Sequence, residues 1–170
     1  MTPRPLEIVP VAPAHVPVLA ELHRVCFIDQ PWHRPWDEAE MADVLTLPGL
    51  RGWVALAGPE GEPVGMLLVQ IAGDTADIVT LAVRPAPWRR QGIGRALLGH
   101  AERDIRSLGA TRLVLEVADG NAAGTCFYRS CGYQLLNRRR LYYTHGTDLP
   151  RDALVMARDL SEAPAEPRGQ

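Results

Sequence analysis

One stretch of the sequence combines residue types that bind phosphate. Its residues are, in order, Arg89, Arg90, Gln91, Gly92, Ile93, Gly94 and Arg95. The two glycines lack side chains, so a ligand can approach the backbone closely. A helical pattern follows, and the free N–H groups and positive dipole end of a helix start favour an anion. Since the arginines add positive charge, the stretch predicts a binding site for a phosphorylated ligand.

Two commoner glycine motifs for phosphate do not fit this stretch. A Walker A loop ends in Gly-Lys-Ser or Gly-Lys-Thr, and the sequence contains neither run. A dinucleotide-binding fingerprint needs a third glycine, yet Ala96 stands two positions after Gly94, and the next glycine is Gly99. Both motifs are therefore excluded, and a nucleotide-binding protein of another kind is kept as an alternative.

A carboxylate, a phenol and an amide outside the loop are further candidates. Glu116 lies inside the apolar run at residues 113–117, where burial would raise the pKa of a carboxyl group and suit it to act as a base. Tyr128 follows Asn121 by seven residues, so the two side chains share one face of a predicted helix. The alternatives are a salt-bridged strand glutamate for Glu116, a core aromatic for Tyr128 and a plain helix cap for Asn121.

Short strands and helices must position these residues. Strands are predicted at residues 6–9, 53–57, 64–71, 78–83, 113–117, 133–136 and 153–158, and residues 138–150 are expected to connect the last two. Helices are predicted at residues 14–27, between Asp37 and Pro48, at 93–108 and at 122–131. Asp37 and Glu40 form a capping box, and the apolar stripe of the third helix is Ile93, Leu97, Ala101, Ile105 and Leu108.

The order of these elements predicts the fold class. Short turns make the three strands before the phosphate loop antiparallel, whereas the helix between residues 78–83 and 113–117 makes those two strands parallel. The fold class is therefore α/β in the mixed, α+β sense, with a mostly antiparallel sheet and one central parallel β-α-β crossover. Residues 1–160 are expected to form a single domain and residues 161–170 a flexible tail.

Composition narrows the functional classes. The chain has 170 residues, 46% hydrophobic and 22% charged, and a net charge of -2, which argues against bulk nucleic-acid binding. Its apolar stretches are too short for a membrane span, and its N-terminus has no signal core. Three cysteines without a regular framework are expected to be reduced, which predicts a cytoplasmic protein. No Cys/His cluster has zinc spacing, so no metal is expected.

The loop and a second block of residues together resemble the GNAT N-acetyltransferase superfamily. The loop matches the pattern Arg/Gln-x-x-Gly-x-Gly/Ala, and the second block reads Leu115-Glu116-Val117, Asn121-Ala122-Ala123, Phe127-Tyr128 and Cys131-Gly132-Tyr133. Within the superfamily this block is most similar to the RimI-type alanine N-acetyltransferases, which acetylate the α-amino group of a small-subunit ribosomal protein. Cys26-Phe27 ahead of Pro31-Trp32, and the run 139–143, support that subfamily.

The resemblance implies roles for individual residues. Acetyl-CoA is the implied donor, with its diphosphate on the loop residues 89–95 and its pantetheine arm beside Asn121 and the backbone of Leu81, Ala82 and Val83. Those backbone groups are accessible because the two parallel strands splay apart in this superfamily. Glu116 is the implied base, acting through water, and Tyr128 the acid that protonates the thiolate. Trp32, Tyr142 and Tyr143 are the implied substrate-binding residues.

The resulting hypothesis is direct acetyl transfer from acetyl-CoA to a protein N-terminus. The expected partner is the substrate peptide, and neither DNA nor a membrane is expected to bind. The enzyme is expected to be a monomer or weak dimer. One alternative changes the acceptor to a small amine or a lysine side chain. Another is a non-catalytic CoA-binding regulatory module. The sequence leaves the role of the second Pro-Trp pair, Pro35-Trp36, open. It also leaves open whether the run 138–140 is a solvated charge run or a patch that steers a binding partner.

Overall fold

The computed structural model describes residues 6–30, 33–143 and 151–161, apart from the side chains of residues 141–143 and 151. Within these ranges the strands are β1 (Glu7–Pro10), β2 (Leu50–Ala57), β3 (Glu62–Ala72), β4 (Thr75–Val83), β5 (Arg112–Ala118), β6 (Gln134–Tyr143) and β7 (Arg151–Asp159). The α-helices are α1 (Val16–Phe27), α2 (Glu38–Leu45), α3 (Ile93–Ser107) and α4 (Ala122–Ser130), with a 3₁₀ turn at Pro13–His15 before α1.

The strands form one mixed sheet in the order β1-β2-β3-β4-β5-β7-β6. Every neighbouring pair in it is antiparallel except β4 and β5, which are joined by α3 and run parallel. The predicted fold class, a mostly antiparallel sheet with one central parallel crossover, is confirmed. β7 inserts between β5 and β6, an order that the sequence pattern did not indicate.

The parallel pairing of β4 and β5 is short. Residues Thr75, Ala76 and Asp77 pair with Arg112, Leu113 and Val114, and there the pairing ends, although both strands continue. On its other side β4 stays paired with β3 as far as Val83, with an irregularity in register opposite Leu68 and Val69. The predicted splay of the two central strands is therefore present, and a gap opens between their carboxyl ends.

Helices pack on both faces of the sheet. On one face α3 places Leu97, Ala101 and Ile105, each fully buried, against strand residues that include Leu67 and Leu113. On the opposite face α1 and α2 contribute a second buried cluster. Burying one leucine side chain stabilises the fold by about 1.5–3 kcal/mol, so these two layers hold the helices to the sheet.

Local sequence signals set several helix ends as predicted. Asp37 caps α2 by accepting a hydrogen bond from the Glu40 N–H at 2.9 Å, and the Asp37 N–H donates to the Glu40 carboxylate at 2.9 Å. Gly109 follows α3 with a φ of +96°, a left-handed conformation that glycine adopts without strain.

Two predictions about element ends were wrong. Leu108 is 50% exposed, because α3 ends at Ser107 and its apolar stripe therefore stops at Ile105. Residues 138–143 belong to β6 rather than to a connection, because pairing with β7 continues through Arg139 and includes Tyr143. A run of arginines is an unfavourable strand sequence by itself, so cross-strand pairing decides this element.

A partly buried ion pair, in which Glu102 is the more buried member, ties α3 to the second half of the sheet. The Tyr133 hydroxyl donates to Glu102 Oε1 at 3.0 Å, and Arg158 Nη1 donates to Glu102 Oε2 at 2.9 Å. Arg158 also donates to the Cys131 carbonyl at 2.9 Å, at the end of α4. Burial, reinforced by the charge of Glu102, raises the pKa of Tyr133, which therefore stays a protonated donor.

We predict that Glu102→Gln destabilises the protein by about 2 kcal/mol, because Arg158 and the Tyr133 hydroxyl lose a charged partner in a largely buried place. Urea denaturation monitored by circular dichroism measures this change. Glu21→Gln is the matched control, since Glu21 pairs with Arg24 in solvent, with 47% of its side chain exposed. Equal denaturation midpoints for the Glu102 and Glu21 variants would contradict the structural importance of the pair between Glu102 and Arg158.

Candidate active site

A cavity of about 500 Å³ is lined by Leu81, Ala82 and Val83, which belong to the part of β4 beyond its last pair with β5. Its walls come from the end of α1, the end of β4, the glycine-bearing loop, the first turn of α3 and the first two turns of α4. Cys26, Phe27 and Gln30 line it from one face of the sheet, and Gly94 and Gly124 from the other. A cavity that touches helices on both faces has to pass the sheet at the gap between these strands.

Most of the predicted donor-binding residues line this one cavity: Leu81, Ala82, Val83, Arg89, Arg90, Gly92, Ile93, Gly94, Arg95, Asn121 and Tyr128. Gln91 and Glu116 are not among the lining residues. The Gln91 side chain donates a hydrogen bond to the Pro87 carbonyl instead. Trp32 lies outside the described residues, and the side chains of Tyr142 and Tyr143 are not described. The roles assigned to all these residues stay predictions.

The loop presents backbone N–H groups to the cavity. Gly92 is the N-cap of α3 with a φ of +81°, and its carbonyl accepts the first helical hydrogen bond, from Ala96 N–H at 2.9 Å. The N–H groups of Ile93, Gly94 and Arg95 precede that bond, so they have no acceptor within the helix. The same three residues line the cavity, which makes it suited to an anion.

Gly94 has a packing role that sequence reasoning missed. A Cβ atom at this position would lie 3.1 Å from Cζ of Phe127, so the missing side chain lets α3 approach α4 closely. Gly92 differs, because no described atom lies within 4 Å of such a Cβ and its positive φ is the constraint. The two glycines of the loop therefore serve different purposes: one allows a helix contact and the other a turn.

The loop arginines keep their charge available. Arg89 Nε donates to the Val83 carbonyl at 3.1 Å, at the end of β4. Arg95 donates to the Ser130 carbonyl at 3.2 Å and to the Ser130 hydroxyl at 2.9 Å, which joins α3 to the end of α4. These acceptors are uncharged, so they fix the guanidinium groups without neutralising them. The cavity is consequently positive on its α3 side.

Asn121 and Tyr128 lie on the α4 side of the cavity. Asn121 caps α4 by accepting a hydrogen bond from the Gly124 N–H at 2.9 Å, so the helix-cap alternative is correct and is compatible with a binding role. Two turns later the Tyr128 ring meets Phe127 at 5.2 Å and Tyr133 at 5.7 Å, both edge to face. Tyr128 is thus held by core aromatics while it lines the cavity.

Glu116 is less buried than we expected from its position in an apolar run. Its side chain is 28% exposed and forms an ion pair with Arg139 of β6. The salt-bridged geometry that was kept as an alternative is therefore present. The signal that could have identified it is the arginine run 138–140, which becomes relevant once β6 is known to extend through these residues.

A histidine pair that joins α1 to residues 33–36 was also missed. His23 of α1 is fully buried, stacks on Trp36 at 4.3 Å, and lies with its Nε2 atom 3.3 Å from that of His33. The Trp36 N–H donates to His23 Nδ1 at 3.0 Å, so His23 carries its proton on Nε2 and donates to His33. Both rings must be neutral for this chain of hydrogen bonds, which holds residues 33–36 against α1.

Burial is the main cause of the low pKa of both rings. It lowers the pKa of His23 to about 3, helped by His33 and opposed by Glu40. It also lowers the pKa of His33, with a further contribution from Arg34. Arg34 and Glu40 pair with each other at the start of α2, so a charged group of each sign lies near the histidines.

The chain belongs to the Acetyltransferase (GNAT) family, which it matches over residues 16–133. It is thus an N-acetyltransferase. Ribosomal protein bS18-alanine N-acetyltransferase of Escherichia coli K12 is 38% identical to it over 101 residues, 59% of this chain and 67% of that protein. The crystal structure of the Escherichia coli ribosomal-protein-S18-alanine N-acetyltransferase covers 95% of this chain and 97% of that one, with 28% identity and a TM-score of 0.79.

A third similarity concerns the fold. Arabidopsis thaliana NAA60, solved in complex with acetyl-CoA, has a TM-score of 0.76 at 17% identity and covers 92% of this chain and 99% of that one. No helix among the described residues is long and apolar enough to cross a bilayer. Among the same residues no group of three or more His, Cys, Asp or Glu side chains is arranged to hold a metal ion.

We predict that Gly94→Ala destabilises the protein by about 1–3 kcal/mol, because the added methyl group presses on the Phe127 ring. Gly99→Ala, in the same helix, is the matched control. Its Cβ would meet only the flexible end of Arg103 at 3.5 Å, so better helix propensity should stabilise the protein by about 0.5–1 kcal/mol. Urea denaturation measures the free energy of unfolding of both variants. If both substitutions changed this free energy in the same direction, the proposed contact between α3 and α4 would be contradicted.

We predict that stability falls as the pH decreases from about 6.5, the ordinary pKa of histidine, towards 3. In this interval the unfolded chain protonates His23 and the folded chain does not, so unfolding takes up a proton and is favoured by acid. His23 is expected to contribute about 1.4 kcal/mol per pH unit to the slope, and His33 adds to it because its pKa is lowered as well; urea denaturation at several pH values measures the slope. His23→Gln should flatten the slope between pH 6.5 and 5, and an unchanged slope would refute the assignment.

Proposed function

We propose that this protein transfers the acetyl group of acetyl-CoA to the α-amino group of a protein N-terminus, as RimI-type enzymes do. The observation that carries the proposal is the cavity at the gap between β4 and β5. It joins an anion-binding helix start on one face of the sheet to the end of α1 on the other. A donor and an acceptor could therefore enter from opposite faces and meet at the gap.

Acetyl-CoA fits the donor side in its chemistry. Its diphosphate would accept hydrogen bonds from the N–H groups of Ile93, Gly94 and Arg95, and Arg89 and Arg90 would add charge. Its pantetheine arm carries two amides, which could bond the backbone of Leu81 and Val83, because the pairing of β4 with β5 among the described residues ends at Asp77. The thioester would then lie between Glu116 and Tyr128.

The reaction needs two proton transfers. The amine nitrogen attacks the thioester carbonyl carbon, a C–N bond forms, and the C–S bond breaks. Glu116 would take the proton that the amine loses, through a water molecule, since its partly exposed carboxylate is outside the cavity lining. Tyr128 would give its proton to the departing thiolate. An α-amine has a pKa near 8, so the base removes a proton that is already lost readily.

The acceptor is proposed from the relatives. The Escherichia coli protein that is 38% identical carries the name of a bS18-alanine N-acetyltransferase, and a ribosomal protein that begins with alanine is the corresponding substrate here. Trp32, Tyr142 and Tyr143 would contact the peptide. We further propose that residues 1–160 form one domain, followed by a flexible tail, and that the protein acts in the cytoplasm as a monomer or weak dimer, without DNA or a membrane.

A peptide panel tests this function. Peptides that begin with alanine should be acetylated at the N-terminus with the highest kcat/KM, when compared with internal-lysine peptides and free amines by mass spectrometry. The chain itself contains no lysine, so acetyl-lysine in the assay can come only from the peptide. If an internal-lysine peptide or a small amine had the highest kcat/KM, the proposed acceptor would be wrong and that amine would take its place. Acetylation of none of them would support a CoA-binding module.

We predict that Glu116→Gln lowers kcat by roughly 10²–10⁴-fold, the usual range for a general base, and that Tyr128→Phe lowers it at least tenfold. Both variants should still bind CoA, measured by thermal shift, because neither loses the helix start that binds the diphosphate. A thermal shift with ATP or NAD and none with CoA would instead favour the nucleotide-binding alternative. Full activity of the double variant would refute the assigned roles.

A further inference from the structure

We propose that Arg139 is a positioning residue that orients the Glu116 carboxylate, and that the charge of Asp77 acts on the same carboxylate from the opposite side. The inference rests on the proposed function, because it concerns the base of acetyl transfer. Nothing in the sequence pattern connects the three residues, which come from β6, β5 and β4. The sheet alone brings them together.

The register of the sheet brings Arg139 to Glu116. Glu116 lies opposite Val155 of β7, and Arg139 lies opposite Ala153 of the same strand. The two charged residues are therefore separated by one strand, about 10 Å at the usual strand spacing, and by two residues along it, so both lie on the same face. An arginine side chain is long enough to cross this distance, and Arg139 Nη1 donates to Glu116 Oε1. The small Ala153 and the uncharged Val155 lie between them.

Asp77 acts on Glu116 from the other side. It is the last residue of β4 that pairs with β5, and its partner Val114 precedes Glu116 by two positions, so both carboxylates point to one face of the sheet. The pKa of Asp77 is raised, mainly by partial desolvation and secondly by the negative charge of Glu116, although much of Asp77 is exposed. Glu116 thus lies between an arginine and a second carboxylate at the start of the gap.

The neighbouring arginines of β6 are placed differently. Arg138 donates to Asp119 at 2.5 Å and to Asp152 at 3.3 Å, and so joins the middle of β6 to the loop before α4 and to β7. Side chains alternate along a strand, so Arg138 and Arg140 belong to the face opposite that of Arg139. On the neighbouring strands, as far as the structure describes them, the charged groups beside Glu116 are Arg139 from β6 and Asp77 from β4, while the β7 residues between Glu116 and Arg139 are uncharged.

This arrangement suits a base whose carboxylate must be oriented before the amine binds. The bond to Arg139 favours the carboxylate form and restricts its rotation. The charge of Asp77 works in the opposite direction, since it disfavours a second negative charge nearby. Half of the Arg139 side chain is exposed, so the pair meets solvent at the place where an acceptor would enter.

Three variants test the inference by the pH dependence of kcat. In Arg139→Gln, kcat at neutral pH should fall about threefold to tenfold, and the acid limb of the profile should move to higher pH. Arg139→Lys should restore part of the loss because it keeps the charge. Asp77→Asn should move the acid limb to lower pH. Arg140→Gln removes the same charge from the same strand on the other face, and its profile should match that of the wild-type protein.

A second measurement does not depend on activity. The side-chain carboxyl ¹³C resonance of Glu116, identified by its loss in Glu116→Gln, should move at neutral pH in Arg139→Gln, because the hydrogen bond from Arg139 Nη1 is lost. General loosening of the fold would move the resonance in Arg140→Gln as well, whereas loss of the specific pairing leaves it unmoved there. The same displacement in Arg140→Gln as in Arg139→Gln would overturn the specific pairing.

The possible failures are distinguishable. If the wild-type protein acetylates no amine, the proposed function fails, and the positioning role fails with it. If the wild-type protein is active and Glu116→Gln is not, but Arg139→Gln keeps both the kcat and the pH profile of the wild type, only this inference is overturned. A lower kcat with an unmoved profile and unmoved resonance would also overturn it, because that result indicates a structural role.

Discussion

The early end of the pairing between β4 and β5 is the constraint on which the rest of the structure depends. Three residue pairs hold the strands together, and beyond Asp77 and Val114 each strand continues without the other. Backbone polar groups that leave a ladder need other partners, so a gap inside a sheet is stable only where solvent or a ligand reaches it. The cavity, the helix starts that line it and the charged residues beside it all follow from this opening.

The charges around the gap are divided between the two faces of the sheet. On the α3 side, arginines are fixed by uncharged carbonyl and hydroxyl oxygens, so their positive charge remains for an anion. On the α1 side, the carboxylates of Asp77 and Glu116 lie near the gap, with Arg139 as the partner of Glu116. A reaction between an anionic donor and a basic amine matches this division, because each substrate meets charge that favours it.

Polar contacts inside the core keep the two faces in place. The carboxylate of Glu102 joins α3 to Tyr133 and Arg158, and the neutral His23–His33 pair joins residues 33–36 to α1. Each network is satisfied, and among the described residues no buried side-chain nitrogen or oxygen lacks a partner. Satisfied buried networks specify one arrangement of the packed elements, because any displacement leaves a polar group unpaired.

The sequence by itself determined whatever depends on neighbours along the chain. It determined the glycine loop at the start of α3, the caps at Asp37 and Asn121, and the order of elements that makes one strand pair parallel. Only the tertiary structure decided the partner of Glu116, the extent of β6 and the histidine pair. Glu116 and Arg139 are 23 positions apart, and His23 and His33 are 10 apart. Such contacts depend on strand register and helix packing, which local patterns do not encode, whereas caps and turns are made by residues a few positions apart.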